Sequence, residues 1–213
     1  RSLYQSMRNS ASESFRLLAR RLGEDAESLP ANASRVLQLE DEVLKRFGSL
    51  VGRPLKGIRI RCHGDYHLGQ VLWKGNDFVI IDFEGEPARP LSERRLKRSP
   101  LRDVAGMLRS FSYAVHTVLF EEQASGLVEV AGPPLDAWAR VWYLWVASAF
   151  LKAYLERAGS TGLLPPKRED IAQLLGVFLL EKAVYEIGYE LSSRPDWLRI
   201  PFEGILEILG AEA

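Results

Sequence analysis

Residues 63–84 carry the most informative pattern in the sequence, with polar residues around two short apolar runs. The stretch opens with His63-Gly64-Asp65-Tyr66-His67-Leu68-Gly69-Gln70 and closes with Asp82-Phe83-Glu84. Residues 70–74 and 78–82 are short runs with β-branched residues, which is typical of strands. The Gly-Asn-Asp run at 75–77 tolerates the backbone angles of a tight turn. We predict a β-hairpin that places two carboxylates and one side-chain amide around it.

These three polar groups are the ones that phosphoryl transfer requires. The reaction needs a carboxylate that orients and deprotonates the attacking hydroxyl, and oxygen ligands that hold Mg²⁺ on the ATP phosphates. Asp65 precedes Gln70 by five residues, as the catalytic aspartate precedes the metal-binding asparagine in the protein-kinase pattern. We predict that Asp65 is the catalytic residue and that Gln70 and Asp82 bind Mg²⁺, with ATP as co-substrate.

Two histidines, His63 and His67, lie on either side of Asp65. They could be interpreted as a metal-binding pair, but a loop between strands lacks the helical backbone that aims two rings at one ion. We therefore predict that both support the catalytic loop. His63 would brace it by hydrogen bonds, and His67 would either contact the same loop or stay packed.

The run from His63 to Gln70 resembles the sequence motif His-Gly-Asp-x-His-x-x-Asn of the aminoglycoside phosphotransferase and choline kinase group. With Asp82-Phe83-Glu84-Gly85-Glu86-Pro87 behind it, the run is similar to the maltokinase branch of that group, and the likeness extends through residues 88–95, 101–111 and 181–186. The resemblance implies conversion of maltose and ATP to maltose 1-phosphate and ADP. It also implies a fusion partner, a trehalose synthase domain, and a place in trehalose and glycogen-like α-glucan metabolism.

The chain departs from this group at two positions and in one larger respect. Gln70 replaces the common asparagine and Glu84 the glycine of Asp-Phe-Gly, although a glutamine oxygen can still bind Mg²⁺ directly or through water. Nothing in the sequence resembles the glycine-rich phosphate loop or the strand lysine of the smaller kinase lobe. We expect residues 1–213 to form the C-terminal lobe of a protein kinase-like fold, α+β and predominantly α, with the N-terminal ATP-binding lobe absent from this chain. The isolated chain would then be inactive.

The helical pattern predicts most of the remaining elements. Apolar residues recur at three- and four-residue steps, which is typical of amphipathic helices. The expected helices cover residues 3–22, 34–50, 103–120, 136–157, 168–191 and a short segment after Pro201. We also expect a strand at Ile58–Cys62, an irregular loop over residues 84–100, and core packing for Trp138, Trp142 and Trp145, which share a predicted helix with Phe150.

Candidate substrate contacts come from two regions. Glu84 opens a charged run directly behind the metal-binding aspartate, where a solvated loop is the common alternative to a substrate-binding role. Lys182, Tyr185 and Glu186 give one helix face polar and aromatic groups suited to a sugar ring, although a surface helix would look similar. We expect Asp103 and Arg109 to be ion-paired inside the lobe.

Bulk composition narrows the class of protein. The 213 residues include 28 lysines and arginines against 28 aspartates and glutamates, so no net charge favours nucleic acid or an anionic membrane. No run of about 20 apolar residues and no signal peptide is present, so we expect a cytoplasmic protein. Cys62 is the single cysteine, and we expect it to be a packed residue.

Two alternatives remain open. The chain could be a non-catalytic interaction or assembly module beside a trehalose synthase domain, although the intact Asp65, Gln70 and Asp82 argue against degeneracy. It could also phosphorylate another hydroxyl acceptor, such as an aminoglycoside, a choline-like amine or another sugar. The near-neutral helix face at residues 181–189 does not favour a polycation.

Overall fold

A computed structural model describes residues 2–52, 57–87, 89–125 and 135–211. These ranges are mainly helical, with one antiparallel two-stranded sheet, so the predominantly α fold with a small hairpin is confirmed. The elements are α1 (Ser2–Glu24), α2 (Ala33–Leu37), α3 (Glu40–Gly48), β1 (Val71–Trp73), β2 (Phe78–Ile80), α4 (Leu91–Arg94), α5 (Leu101–Ser125), α6 (Leu135–Ala158), α7 (Arg168–Ser193) and α8 (Arg199–Leu209). Single 3-10 turns lie at Ala26–Ser28, Leu68–Gln70 and Pro195–Leu198.

The chain divides into two compact units. The first unit comprises Arg1–Leu55 together with Lys167–Ala213, and the second comprises Lys56–Pro166. The assignment of the whole chain to one kinase lobe stays a prediction.

The first unit is a helical bundle in which α7 packs against both α1 and α8. The predicted periodicity of α1 is confirmed, because Met7, Phe15 and Leu18 are fully buried. From α7 and α8, Phe178 and Phe202 join the same core. Burial of such large side chains, worth roughly 1.5–3 kcal/mol each, stabilises the bundle far more than helix propensity does.

One expected helix of the first unit is broken in two. The pattern predicted a single helix over residues 34–50, but α2 ends at Leu37 and α3 begins at Glu40. Leu39 leaves helical geometry with φ −87° and ψ 2°. The acidic run at residues 40–42 then occupies the first turn of α3, where the helix dipole favours negative charge. A local electrostatic preference therefore restarts the helix.

The second unit carries the hairpin. Strands β1 and β2 form the predicted antiparallel hairpin, with Val71 opposite Ile80 and Trp73 opposite Phe78, although each strand is shorter than predicted. The turn closes where Lys74 N–H donates to Asp77 O over 2.8 Å. The expected strand at residues 58–62 is wrong, because Ile60 makes only an isolated bridge to Arg98. A strand requires consecutive bridge pairs, and among the residues that the structure describes this segment has a single isolated pair.

The α5 and α6 helices of the second unit pack against each other. Phe111 and Phe150 meet edge to face at 5.5 Å between ring centroids. The prolines at 133 and 134, which were expected to start α6, lie outside the described residues.

The expectation of buried tryptophans on α6 is wrong. Trp138 is 62% exposed, Trp145 is 75% exposed and Trp142 is also exposed. At about 100° per residue, Phe150 projects roughly 120° away from Trp138, so the side of α6 that meets α5 is not the tryptophan side. Helical spacing shows that residues share a face but does not show whether that face is covered.

The segment behind the hairpin is irregular apart from the single turn of α4, as its prolines and charges predict. Ala88 in this segment lies outside the described residues. Across the described ranges, none of the helices combines the length and the apolar character that crossing a membrane requires.

Candidate active site

The beginning of the predicted catalytic loop, residues 63–70, is held by a carboxylate from the first turn of α5. Asp103 accepts the backbone N–H of His63 at Oδ2 (2.7 Å) and that of Gly64 at Oδ1 (2.9 Å). Burial raises the pKa of Asp103, and the two N–H donors offset part of that rise. The expectation of an ion pair for Asp103 is wrong in the described part of the chain, because backbone amides take that place.

Two glycines allow the catalytic loop to touch the segment that follows Asp82. Gly64 has φ +88° and Gly85 has φ +81°, in the left-handed region that side chains disfavour. A Cβ on Gly64 would lie 3.2 Å from Gly85 Cα. The loop and the segment therefore approach each other at a distance that only glycine permits without strain.

The His63 ring links both halves of the motif. Its Nε2 lies 2.7 Å from Ile81 O, and because a carbonyl only accepts, Nε2 carries the hydrogen. Nδ1 is then the acceptor for the N–H of Asp65 at 3.4 Å. The ring is buried, with Phe83 4.9 Å away between centroids. His63 thus connects the residue before Asp82 to the backbone of Asp65.

His67 lies beside the carboxylate of Asp65. Its Nδ1 accepts the Gly69 N–H at 3.1 Å, so Nε2 carries the hydrogen, and Nε2 lies 3.7 Å from Asp65 Oδ2. The carboxylate of Asp65 is 18% exposed and the His67 ring 40% exposed, so solvent reaches both side chains. This geometry lets His67 bias the orientation of the Asp65 carboxylate, although 3.7 Å is too long for a direct hydrogen bond.

Gln70 and Asp82 meet at the base of the hairpin. Gln70 Nε2 donates to Asp82 Oδ2 over 2.9 Å, and Ile81 N–H donates to Gln70 O over 3.0 Å. With the amide nitrogen engaged, Gln70 Oε1 is directed away from that hydrogen bond. One amide oxygen and one carboxylate are therefore neighbours at a solvent-accessible position.

The backbone of Asp82 is in an uncommon conformation. Its φ of +59° is the one positive value for a non-glycine residue in the described part of the chain. Aspartate tolerates this region better than most residues, but strain of this kind concentrates at functional sites. The conformation turns the chain sharply just after β2 and sets the direction in which the carboxylate leaves the strand.

The donor set at this position fits a magnesium ion held on a nucleotide. Mg²⁺ prefers oxygen ligands and is commonly bound by one or two carboxylates, with waters and substrate phosphates completing its octahedron. Gln70 and Asp82 supply two such oxygens. In the described ranges no cluster of three or more histidines, cysteines and carboxylates could hold a metal by itself. The residues thus suit a shared metal rather than a closed protein site.

The expected substrate contacts fall in different units. Glu84 is exposed in the turn behind Asp82, in the second unit. Lys182, Tyr185 and Glu186 lie on α7 of the first unit, where Lys182 Nζ is 5.1 Å from the Tyr185 ring centroid and Glu186 is buried. Their roles in sugar binding stay predictions.

Sequence reasoning missed two residues that hold the catalytic loop. It assigned Asp103 to an ion pair and overlooked Ser110, whose Oγ accepts the Leu68 N–H over 2.9 Å. Both lie on α5, seven residues and therefore about two helical turns apart. The pattern gives a partial signal, because two polar residues seven positions apart lie on the same face of a helix.

Comparison with known families agrees with this geometry. Residues 5–90 match APH, the phosphotransferase enzyme family. We call residues 5–90 the phosphotransferase-family segment, after the family model that they match. It contains the whole run from His63 to Glu84, so the hairpin and its polar groups lie inside the matched residues.

Curated relatives of the phosphotransferase-family segment are sugar kinases. The chain is 31% identical over 165 residues to a glucosamine kinase of Mycolicibacterium smegmatis, a match that covers 76% of this chain and 36% of the relative. It is 28% identical over 191 residues to a glucosamine kinase of Streptacidiphilus jiangxiensis, covering 88% and 38%. The chain therefore spans well under half the length of the curated relatives it matches.

Solved structures share the fold. A glucosamine kinase in crystal form B aligns with a TM-score of 0.74 at 21% identity, over 98% of this chain and 45% of that one. A glucosamine kinase in complex with glucosamine, ADP and inorganic phosphate aligns with a TM-score of 0.72 at 23% identity, over 98% and 47%. The phosphotransferase-family segment and the helices behind it thus adopt a fold found in sugar kinases.

Proposed function

We propose that this chain is the catalytic part of a kinase that transfers the terminal phosphoryl group of ATP to a hydroxyl of a small sugar. The observation that carries the proposal is the 2.9 Å contact between Gln70 and Asp82, which are neighbours inside the phosphotransferase-family segment. This hydrogen bond holds the Gln70 amide next to the Asp82 carboxylate, and oxygens of these two groups are the kind of ligand that a magnesium nucleotide needs. The relatives, which are sugar kinases, support the substrate class.

Each residue of the site then has a distinct role. Asp65 accepts the hydroxyl proton of the sugar and aligns the oxygen for attack in line with the bond that breaks. Gln70 and Asp82 would hold Mg²⁺, which when bound would neutralise part of the charge on the phosphates. His63 and His67 fix the loop around Asp65. An ATP-binding lobe with a phosphate-binding strand and loop would complete the nucleotide site.

The acceptor is a small sugar, and two candidates have separate support. Glucosamine is supported by the named relatives. Maltose is supported by the His63–Gln70 motif with Asp82-Phe83-Glu84, which resembles the maltokinase branch. A trehalose synthase domain as fusion partner and a cytoplasmic location stay predictions.

The proposal is tested by exchanging the catalytic carboxylate in the full-length protein. Asp65→Asn removes the base but keeps the shape of the side chain. We expect sugar-dependent ADP release to fall by about 10²-fold or more, since general-base catalysis contributes roughly 10²–10⁴-fold. Glucosamine, maltose, an aminoglycoside and choline serve as acceptors in one coupled assay.

Asp77→Asn is the matched control, because Asp77 lies in the turn of the same hairpin and is remote from the proposed chemistry. This variant should retain parental turnover. Asp65→Asn activity near the parental rate would show that Asp65 is not the base. A parent protein that releases ADP with choline or the aminoglycoside but with neither sugar would overturn the substrate class.

A further inference from the structure

One stripe of helix α5 faces the catalytic loop. Asp103, Gly106 and Ser110 are separated by three and four residues, so they lie on the same side of the helix. All three belong to the second compact unit, as does the loop. Asp103 contacts the loop at His63 and Gly64, as described above.

The middle of the stripe makes the closest approach. A Cβ on Gly106 would lie 2.7 Å from Tyr66 O, a separation that real Cβ atoms essentially never show. The loop backbone therefore rests directly on the helix at this position. Tyr66 follows Asp65 in the chain, so any displacement of its carbonyl also moves the neighbouring aspartate.

The end of the stripe holds the far side of the loop. Ser110 Oγ accepts the N–H of Leu68 over 2.9 Å. Contacts at residues 63 and 64, at residue 66 and at residue 68 thus bracket Asp65 on both sides. A loop fixed at three successive points has little freedom to shift the carboxylate between them.

We propose that this stripe holds the loop in place and thereby positions Asp65 for catalysis, with Gly106 and Ser110 as positioning residues. The inference rests on the proposed kinase function. Small errors in position are costly in catalysis, because a displacement of about 1 Å can lower a rate by roughly 10²-fold. The contacts of the stripe are with the loop, so we expect substitutions in it to change turnover and not substrate binding.

Ser110 variants of the full-length protein test the far contact. Ser110→Ala removes the acceptor for the Leu68 N–H, and we expect kcat to fall about tenfold while KM for ATP and for the sugar stays unchanged. Ser110→Thr keeps a hydroxyl acceptor, so its kcat should stay close to that of the parent. Ser112→Ala makes the same chemical change two residues away on α5 and should match the parent.

Gly106 variants test the close approach. Gly106→Ala should improve helix propensity yet lower kcat, because the new methyl group displaces the Tyr66 carbonyl. Gly176→Ala in α7 is the matched control, since a Cβ there meets no atom within 4 Å. A kcat for Gly106→Ala equal to that of the parent would show that Gly106 has no positioning role.

Backbone amide hydrogen exchange separates this inference from the proposed function. In Ser110→Ala the Leu68 amide should exchange faster than in the parent and in Ser112→Ala, whatever reaction the protein catalyses. If the parent phosphorylates no sugar but this exchange rises, the kinase proposal fails and the loop contact stands. If exchange and kcat are both unchanged, or if KM rises with kcat intact, the positioning role is wrong.

Discussion

Gln70 donates its side-chain amide to the carboxylate of Asp82 across 2.9 Å, although twelve residues separate the two in the chain. The hairpin makes this possible, because β1 begins directly after Gln70 and β2 ends two residues before Asp82. The hydrogen bond also determines which end of the amide is engaged, and leaves Oε1 as the end that a metal can use.

This relationship predicts how metal dependence responds to Gln70. Gln70→Ala removes one oxygen ligand, so we expect the Mg²⁺ concentration for half-maximal ADP release to rise by about tenfold. Gln70→Asn keeps an amide oxygen, so its half-maximal Mg²⁺ concentration should lie between those of the parent and Gln70→Ala. Asn76→Ala at the tip of the hairpin is the control. An unchanged Mg²⁺ requirement in Gln70→Ala would remove this residue from the metal site.

A second prediction concerns the carboxylate beneath the loop. Asp103→Asn leaves one of two buried backbone N–H groups without its acceptor, so the free energy of unfolding should fall by roughly 1–3 kcal/mol. Urea unfolding measures the loss, with Asp77→Asn as a control of equal charge change. A loss no larger than the control's would contradict the role given to Asp103.

The same pair of proteins has a predicted pH dependence. Burial raises the pKa of Asp103 above 3.8, so the folded state binds this proton more tightly than the unfolded state does. The parent therefore loses this part of its stability as pH rises from about 4 through the Asp103 titration. Asp103→Asn has no titrating carboxyl at this position, so its stability lacks this pH-dependent part. The difference in unfolding free energy between the two should shrink with rising pH, and a difference that grows would contradict the raised pKa.

A third prediction concerns the single thiol. Burial, followed by repulsion from Asp103, raises the pKa of Cys62 from 9.0 to about 12. Its Sγ–H also donates to Ser99 O over 3.4 Å. Because the thiolate is the reactive form, alkylation at pH 8 should be on the order of 10³-fold slower in the folded than in the urea-unfolded protein.

The pH profile of that alkylation gives the check. The folded rate should keep rising up to about pH 12, whereas the unfolded rate should level off near pH 9. A plateau near pH 9 in the folded protein would mean that the thiol is not held as the structure describes it.

A fourth prediction isolates the contact between the two glycines. Gly64→Ala adds left-handed strain of roughly 1–2 kcal/mol and also presses a Cβ against Gly85 Cα. Gly75→Ala adds the same kind of strain at φ +73°, but its Cβ meets no atom within 4 Å. The excess loss of thermal stability in Gly64→Ala over Gly75→Ala therefore measures the contact. Equal losses would show that the loop can move away freely.

The sequence predicted the elements whose periodicity is unambiguous. Helices α1, α5 and α7 carry long apolar stripes, and the hairpin combines β-branched runs with a turn at residues 75–77, so local pattern and final structure agree. The predicted chemistry of Asp65, Gln70 and Asp82 came from spacing within about twenty residues. The fold brings Gln70 and Asp82 into contact.

The sequence failed where the outcome depends on distant partners. Ile60 has strand character, but among the described residues its bridge to Arg98 stands isolated and does not extend into a sheet. Trp145 fits a core helix by composition, yet the side it occupies on α6 is exposed. Asp103 looks like a member of an ion pair until the loop amides of His63 and Gly64 are placed next to it.

The distance in the chain between the loop and its anchor sets an order of assembly. His63 and Asp103 are 40 residues apart, so a ribosome adding 5–20 residues per second makes the anchor roughly 2–8 s after the loop. During that interval the nascent loop has no partner for its amides. The loop can therefore take its final geometry only after Asp103 has been synthesised, and a pause in translation between these two points would lengthen the time before it does.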